Sequence, residues 1–192
     1  TVPVINALSD DFHPCQLLAD LLTILEHKGS LAGLQVVFLG DGGSNMAHSY
    51  ALAGATAGMH VSIVCPKEFA PATSVITDAR AIAEKTGGSL TVTEEPSAAL
   101  AGADVVVTDT WVSMGKEDEK AERVATFGKY QVDKEKMALA AKDAIFLHCL
   151  PADRGFEVAP EVIDGPQSVI WDEAENRVHA QKALMVWLLE RV

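Results

Sequence analysis

The sequence predicts an α/β domain built on a doubly wound, Rossmann-like parallel sheet with helices on both faces. Three observations carry this. Short β-branched runs alternate with helical patterns along the whole chain. The runs are separated by helices of about a dozen residues, the length that a crossover between parallel strands requires. One run, Gln35 to Leu39, passes through Gly40-Asp41-Gly42-Gly43 directly into a helical pattern, giving a strand, a tight turn and a helix. Such crossovers are right-handed and cover both sides of the sheet. Ligands of these sheets bind beyond the carboxyl ends of the strands, so the segments after Leu39, Thr108 and Leu147 are expected to converge on one crevice.

In chain order, Thr1-Val2-Pro3-Val4-Ile5 is an apolar run without an initiator Met, and reads as a strand entered from something upstream. His13 to Lys28 repeats Leu17, Leu18, Leu21, Leu22 and Leu25 at helical spacing and stops at Gly29. After the strand Gln35–Leu39, Asn45 to Ala57 is a small-residue helix ending at Gly58. Val61 to Cys65 is the next strand, Ser74 to Thr86 a helix closed by Gly87-Gly88, and Ser89 to Thr93 a short strand. Ala103 to Thr108 follows, then a polar loop through Lys116 to Lys120. Asp133 is placed to cap a helix to Ala141, and Ala144 to Leu150 is a further strand. Val169-Ile170-Trp171 reads as a last short strand. Glu173 to Arg191, with Leu184, Trp187, Leu188 and Leu189 on one side, makes a terminal helix expected to pack back on the body.

At 192 residues, 48% hydrophobic and 22% charged, the chain can bury one substantial core, which favours one domain. A formal charge of −12 with no cluster of Lys and Arg repels phosphate backbones and argues against nucleic acid as a partner. Apolar stretches are broken well short of about 18 residues, and no signal peptide is recognisable, so no membrane partner is expected. Cys15, Cys65 and Cys149 are too few and too scattered for a disulfide framework or a CxxC metal site, which fits a reducing cytoplasm.

The chemistry-bearing motifs each have a plainer explanation. Gly40-Asp41-Gly42-Gly43-Ser44-Asn45 opens like a dinucleotide fingerprint. Asn45, however, stands at the third glycine, and Cys65-Pro66-Lys67 where an acidic residue should end the second strand. Turn chemistry accounts for the glycines, and Asn45 remains as a polar reader of a small ligand. His13-Pro14-Cys15-Gln16 sets a histidine before a helix with Pro at N1 and Gln16 in the first turn. A structural histidine is the plain reading; the sharper one has His13 donating to a carbonyl oxygen and Gln16 binding an amide nitrogen. Asp109 follows a buried strand and begins Asp109-Thr110-Trp111-Val112-Ser113-Met114-Gly115. It is either a turn residue or a carboxylate for an ammonium group, and the loop after it can close over a ligand. Cys149, in His148-Cys149-Leu150-Pro151, is either inert and buried or emerges beside Asp109. Arg177 is either a surface salt-bridge partner or a fork for a carbonyl or phosphate oxygen.

Taken together and in order, HPCQ, GDGGSN with MAHS, DTWVSMG, HCLP and DEAENRVHAQK resemble the ornithine carbamoyltransferase family, of an actinobacterial type. The resemblance runs through the whole chain but covers the family's carboxyl-terminal domain, with a junction at residues 1–16 entering from an absent amino-terminal domain and the ornithine-binding domain at 17–192. It implies carbamoyl transfer from carbamoyl phosphate to the side-chain amine of L-ornithine, in arginine biosynthesis, with no metal and no organic cofactor. Catalytic roles fall to Cys149, Asp109, His13 and Arg177. Asn45, Asp109, Ser113, Met114 and Leu8 would bind ornithine, and His13, Pro14, Cys15, Gln16, Cys149, Leu150 and Arg177 carbamoyl phosphate. The family's SxRT phosphate motif is absent, so the 192 residues alone are expected to be nearly inactive, and monomeric or weakly associated where the intact enzyme is a homotrimer. The alternatives are a carbamoyltransferase for another amine, such as putrescine, and a module that holds ornithine without catalysis.

Overall fold

The computed structural model describes residues 2–112 and 117–191. In chain order the elements are α1 (Pro14–Lys28), β1 (Gln35–Leu39), α2 (Asn45–Thr56), β2 (His60–Val64), α3 (Thr73–Thr86), β3 (Ser89–Thr93), α4 (Pro96–Leu100) and β4 (Val105–Thr108). Then come α5 (Lys120–Phe127), α6 (Lys134–Met137), β5 (Ile145–His148), α7 (Pro160–Ile163) and α8 (Ile170–Leu189). The five strands form one parallel sheet in the order β3-β2-β1-β4-β5. The order reverses between β1 and β4, so the chain crosses to the opposite side of β1 there, and the switch-point crevice opens beside their carboxyl ends.

Alternate strand residues enter different cores, as the two-residue period of a strand dictates. Val36, Phe38, Val61, Ile63, Val105, Val107 and Leu147 pack under α1, α2 and α3. Val37, Leu39, Val64, Val106 and Phe146 face the other way, toward Phe127, Tyr130, Met137 and Ile163. Both faces are therefore covered, as the double winding requires.

Four expectations need correction. Residues 2–5 form no strand; the first element is α1. Val169-Ile170-Trp171 is not a strand. Val169 donates its N–H to the Phe146 carbonyl at the β5 edge and then caps α8, whose first turn carries Asp172 and Glu173, acids suited to a helix N-terminus. The helix after Asp133 ends at Met137 rather than Ala141, although Asp133 does cap it by accepting from the Lys136 N–H at 2.8 Å. The terminal helix packs back only through its first half. Ile170, Glu173 and Asn176 are buried, whereas Met185, Val186, Trp187 and Leu189 are exposed. The amphipathic pattern had marked an apolar side without showing that the described chain leaves the distal half of α8 uncovered.

Candidate active site

Parallel pairing of β4 with β5 sets Thr108 against His148, so the next residues, Asp109 and Cys149, leave the sheet side by side. The Cys149 thiol donates to Asp109 Oδ1 at 3.2 Å, and the Thr110 N–H donates to the same oxygen at 2.7 Å. Burial pushes the Asp109 carboxyl up, against the His148 ring and the two hydrogen bonds. Burial also pushes the Cys149 thiol well up, reinforced by the Asp109 and Glu173 carboxyl groups. The thiol thus stays protonated at neutral pH and acts as a donor. A thiolate nucleophile is not formed under these conditions.

His148 fixes the turn that presents Cys149. Its Nδ1 accepts the Leu150 N–H at 2.9 Å, which puts the ring proton on Nε2, facing Glu157 Oε1 at 3.2 Å in full burial. Leu150 itself has φ 56, a left-handed conformation that a branched residue adopts only where its surroundings dictate it. Asp109, His148 and Cys149 are also the one group of three potential metal ligands among the described residues, their nearest donor atoms lying within 4.8 Å of one another. Both His148 nitrogens and the thiol already have protein partners, so the arrangement reads as a hydrogen-bond relay.

A second group assembles where α1 crosses α8. Gln16, Asp20 and Glu173 are buried. Gln16 Nε2 donates to Asp20 Oδ1 at 2.8 Å and to Glu173 Oε1 at 3.2 Å, while its Oε1 accepts from Arg177 Nη1. Glu173 Oε2 accepts the His148 N–H at 2.9 Å, which ties this group to the end of β5. Among the described residues two buried nitrogens here, His13 Nδ1 and Arg177 Nε, have no hydrogen-bond partner. Burial, then the neighbouring Arg177 charge, hold the His13 imidazole below its usual range and so keep it neutral at pH 7. Unpartnered buried nitrogens beside a guanidinium suit an incoming oxygen.

The glycine turn after β1 behaves otherwise. Ser44 caps α2 by accepting the Ala47 N–H at 3.1 Å, and Asn45 donates from Nδ2 to the Ser9 carbonyl at 3.0 Å, next to the exposed Leu8. Arg123 of α5 is 4% exposed; it donates to Asp41 and to the Trp111 carbonyl, and stacks over Phe69 and Phe127. A Cβ on Gly42 would meet Cys65 Sγ at 2.6 Å and the Phe69 carbonyl at 2.7 Å. This turn is filled by protein. Pro14 begins α1 and Cys15 is buried, its thiol facing the Asn6 carbonyl at 3.7 Å. Ser113 and Met114 lie outside the described residues.

Motif reading passed over Asp20, Tyr50, Arg123, Glu157 and the second role of Glu173. The available signal was local: Asp20 stands four residues after Gln16 on the same buried face of α1, an acid where the helix pattern wants a core residue.

A doubly wound parallel sheet with polar groups gathered at the ends of two neighbouring strands defines a ligand-binding α/β domain. The family model described as "Aspartate/ornithine carbamoyltransferase, Asp/Orn binding domain" matches residues 32–188, and that described as "Aspartate/ornithine carbamoyltransferase, carbamoyl-P binding domain" matches residues 1–26. The chain belongs to the aspartate/ornithine carbamoyltransferase family. It is 69% identical, over 100% of its length, to an ornithine carbamoyltransferase of Clavibacter sepedonicus and 67% identical, over 99%, to one of Renibacterium salmoninarum. It covers 62% and 61% of those two proteins, less than two thirds of either. Among solved structures, the ornithine carbamoyltransferase of Pyrococcus furiosus matches with a TM-score of 0.95 at 48% identity, over 100% of this chain and 61% of that one.

Proposed function

We propose that this chain is the ornithine-binding part of an ornithine carbamoyltransferase, which moves a carbamoyl group from carbamoyl phosphate to the side-chain amine of L-ornithine, yielding L-citrulline and phosphate. The contact between the Cys149 thiol and Asp109, with Cys149 directly following the Glu173-bound His148, carries this reading. It puts a proton acceptor and a donor where an amine can reach a carbamoyl group held by Gln16 and Arg177.

An ammonium has no lone pair, so the amine must lose a proton before its nitrogen attacks the carbamoyl carbon. Asp109 attracts the ammonium, and burial makes its carboxylate a better base than an exposed one. Cys149 stays a neutral thiol that orients Asp109 and can donate to the arriving group. As the N–C bond forms, charge builds on the carbamoyl oxygen, which His13 Nδ1 and Arg177 Nε are free to receive. The C–O bond to phosphorus then breaks, and its electron pair leaves with the phosphate. Gln16, with Pro14, Cys15 and Leu150 framing it, binds the carbamoyl amide; Asn45, Ser113, Met114 and Leu8 take the amino-acid end of ornithine. The reading extends to a junction at residues 1–16, a homotrimeric intact enzyme, arginine biosynthesis and a cytoplasmic location.

Calorimetry with L-ornithine and with putrescine, together with a citrulline assay, tests this. The chain should bind ornithine in preference to putrescine. Without the SxRT motif it should form citrulline at least about a thousandfold more slowly than an intact family enzyme, since positioned charges on a transferring group are worth several kcal/mol. Equal binding of both amines would sink the substrate assignment; near-normal turnover would show that the phosphate is held by these residues.

A further inference from the structure

Two carboxyl groups, Asp20 and Glu173, lie at 0% exposure against one amide, and neither is salt-bridged among the described residues. Their partners are unequal. Asp20 Oδ2 accepts the Tyr50 hydroxyl at 2.7 Å and Oδ1 the Gln16 amide at 2.8 Å. Glu173 accepts a backbone N–H at 2.9 Å and the same amide at the longer 3.2 Å. The better-solvated anion is Asp20, so Glu173 is the natural holder of a proton that two buried neighbouring carboxyls share. The chemistry of the surroundings agrees. Burial raises both, Asp20 to about 6 and Glu173 well above the usual carboxylate value. The other ionisable groups facing the pair are Tyr50 from α2, Arg177 from α8 and Cys149 after β5.

We propose that Asp20 and Glu173 are positioning residues: as one carboxylate and one carboxylic acid they hold the Gln16 amide in a single orientation, Nε2 inward and Oε1 toward Arg177 and the site. An amide can otherwise flip, since its oxygen and nitrogen have the same shape. With both Nε2 hydrogens taken by the pair, Gln16 offers only an acceptor, and the site then selects a ligand that presents N–H groups, as a carbamoyl amide does and a simple carboxylate does not. Through the His148 N–H, Glu173 sets the end of β5 in the same act, so amide recognition and the placement of Cys149 share one support. This inference rests on the proposed carbamoyl transfer for its meaning. The proton itself can be tested without that reading.

In the chain labelled with carbon-13 at the Asp and Glu carboxyls, one signal should keep its protonated shift through pH 7 and vanish in Glu173→Gln. If every carboxyl titrates in the ordinary range, the proposal is overturned whatever the enzyme assay shows. Glu173→Gln keeps an oxygen that accepts from His148 and an NH₂ that can donate to Asp20; it gives up the longer 3.2 Å acceptor for Gln16 Nε2 but leaves the 2.8 Å bond to Asp20, and should leave the Gln16 side-chain amide signals slowly exchanging. Asp20→Leu removes both acceptors and should scatter them. In the citrulline assay of an intact enzyme that contains this chain, Asp20→Leu should raise the KM for carbamoyl phosphate at least about tenfold more than Glu173→Gln does, with the KM for ornithine moving in neither. Equal losses in both variants, or losses shared by both substrates, would make the pair a structural brace and refute the positioning role. Equal binding of ornithine and putrescine by the wild-type chain would instead remove the proposed function and leave the carbon-13 result standing.

Discussion

The turn after β1 and the paired ends of β4 and β5 occupy equivalent places in the fold, and only one of them is chemically open. At the β1 turn, glycines admit protein: Cys65 and the Phe69 carbonyl fill the space over Gly42, and Arg123 neutralises Asp41. At the β4 and β5 ends a carboxylate, a thiol and an imidazole meet, and the buried His13 Nδ1 and Arg177 Nε have no partner among the described residues. Position at a strand end is therefore a necessary address and an insufficient one. What makes a site is polar capacity left unspent by the protein.

Arg123→Met gives the largest effect expected from this contrast. Removing the guanidinium leaves Asp41 nearly buried without its cation and frees the Trp111 carbonyl, a change of about 3–5 kcal/mol in stability for a broken buried pair. Urea denaturation reads it. Ornithine affinity, measured where the variant is still folded, should change little; a folded variant that no longer binds would put Asp41 and the glycines beside it, and not Asn45 alone, inside the ligand site and erase the contrast.

Asp109→Asn sharpens it from the other side. The substitution keeps shape and removes charge, so ornithine binding should weaken by roughly 1.5–3 kcal/mol, the range of a hydrogen bond to a charged group. Carbamoyl phosphate binding should hardly move. Calorimetry showing unchanged ornithine affinity together with a large loss of thermal stability would return Asp109 to the role of a turn residue.

The fold was legible because its signals are local. Strands Gln35–Leu39 and Ser89–Thr93 match residue for residue, and the helix ends at Gly29 and Gly87 are left-handed caps as glycine allows. The misread segment, Val169 to Trp171, is β-branched and aromatic, but its neighbours across space make it a helix start. The site was half legible. Asp109 and Cys149 stood in motifs and at strand ends, whereas Asp20, Glu157 and Arg123 act through partners 30, 9 and 82 residues away in sequence. Spacing along one chain carries no record of such pairings. Nor did the glycines of the β1 turn disclose that a thiol from β2's end would occupy the room they make.

The smallest effect belongs to that thiol. Cys65 is 1% exposed, and its sulfur, pushed up to about 11 first by burial and then by the Asp41 charge, neither ionises at neutral pH nor faces the crevice chemistry. Cys65→Ala removes one buried atom beside Gly42, so it should cost about 1 kcal/mol of stability, the centre of the range for single substitutions. Ornithine affinity should stay within about twofold, because an atom packed against a turn contributes nothing that differs between free and bound states. Cys149→Ala is the paired measurement: the volume lost is the same, but Asp109 loses a donor, so its ornithine affinity should shift where that of Cys65→Ala does not. Equal shifts in the two variants would mean that sulfur volume, and not the contact with Asp109, is what the crevice senses.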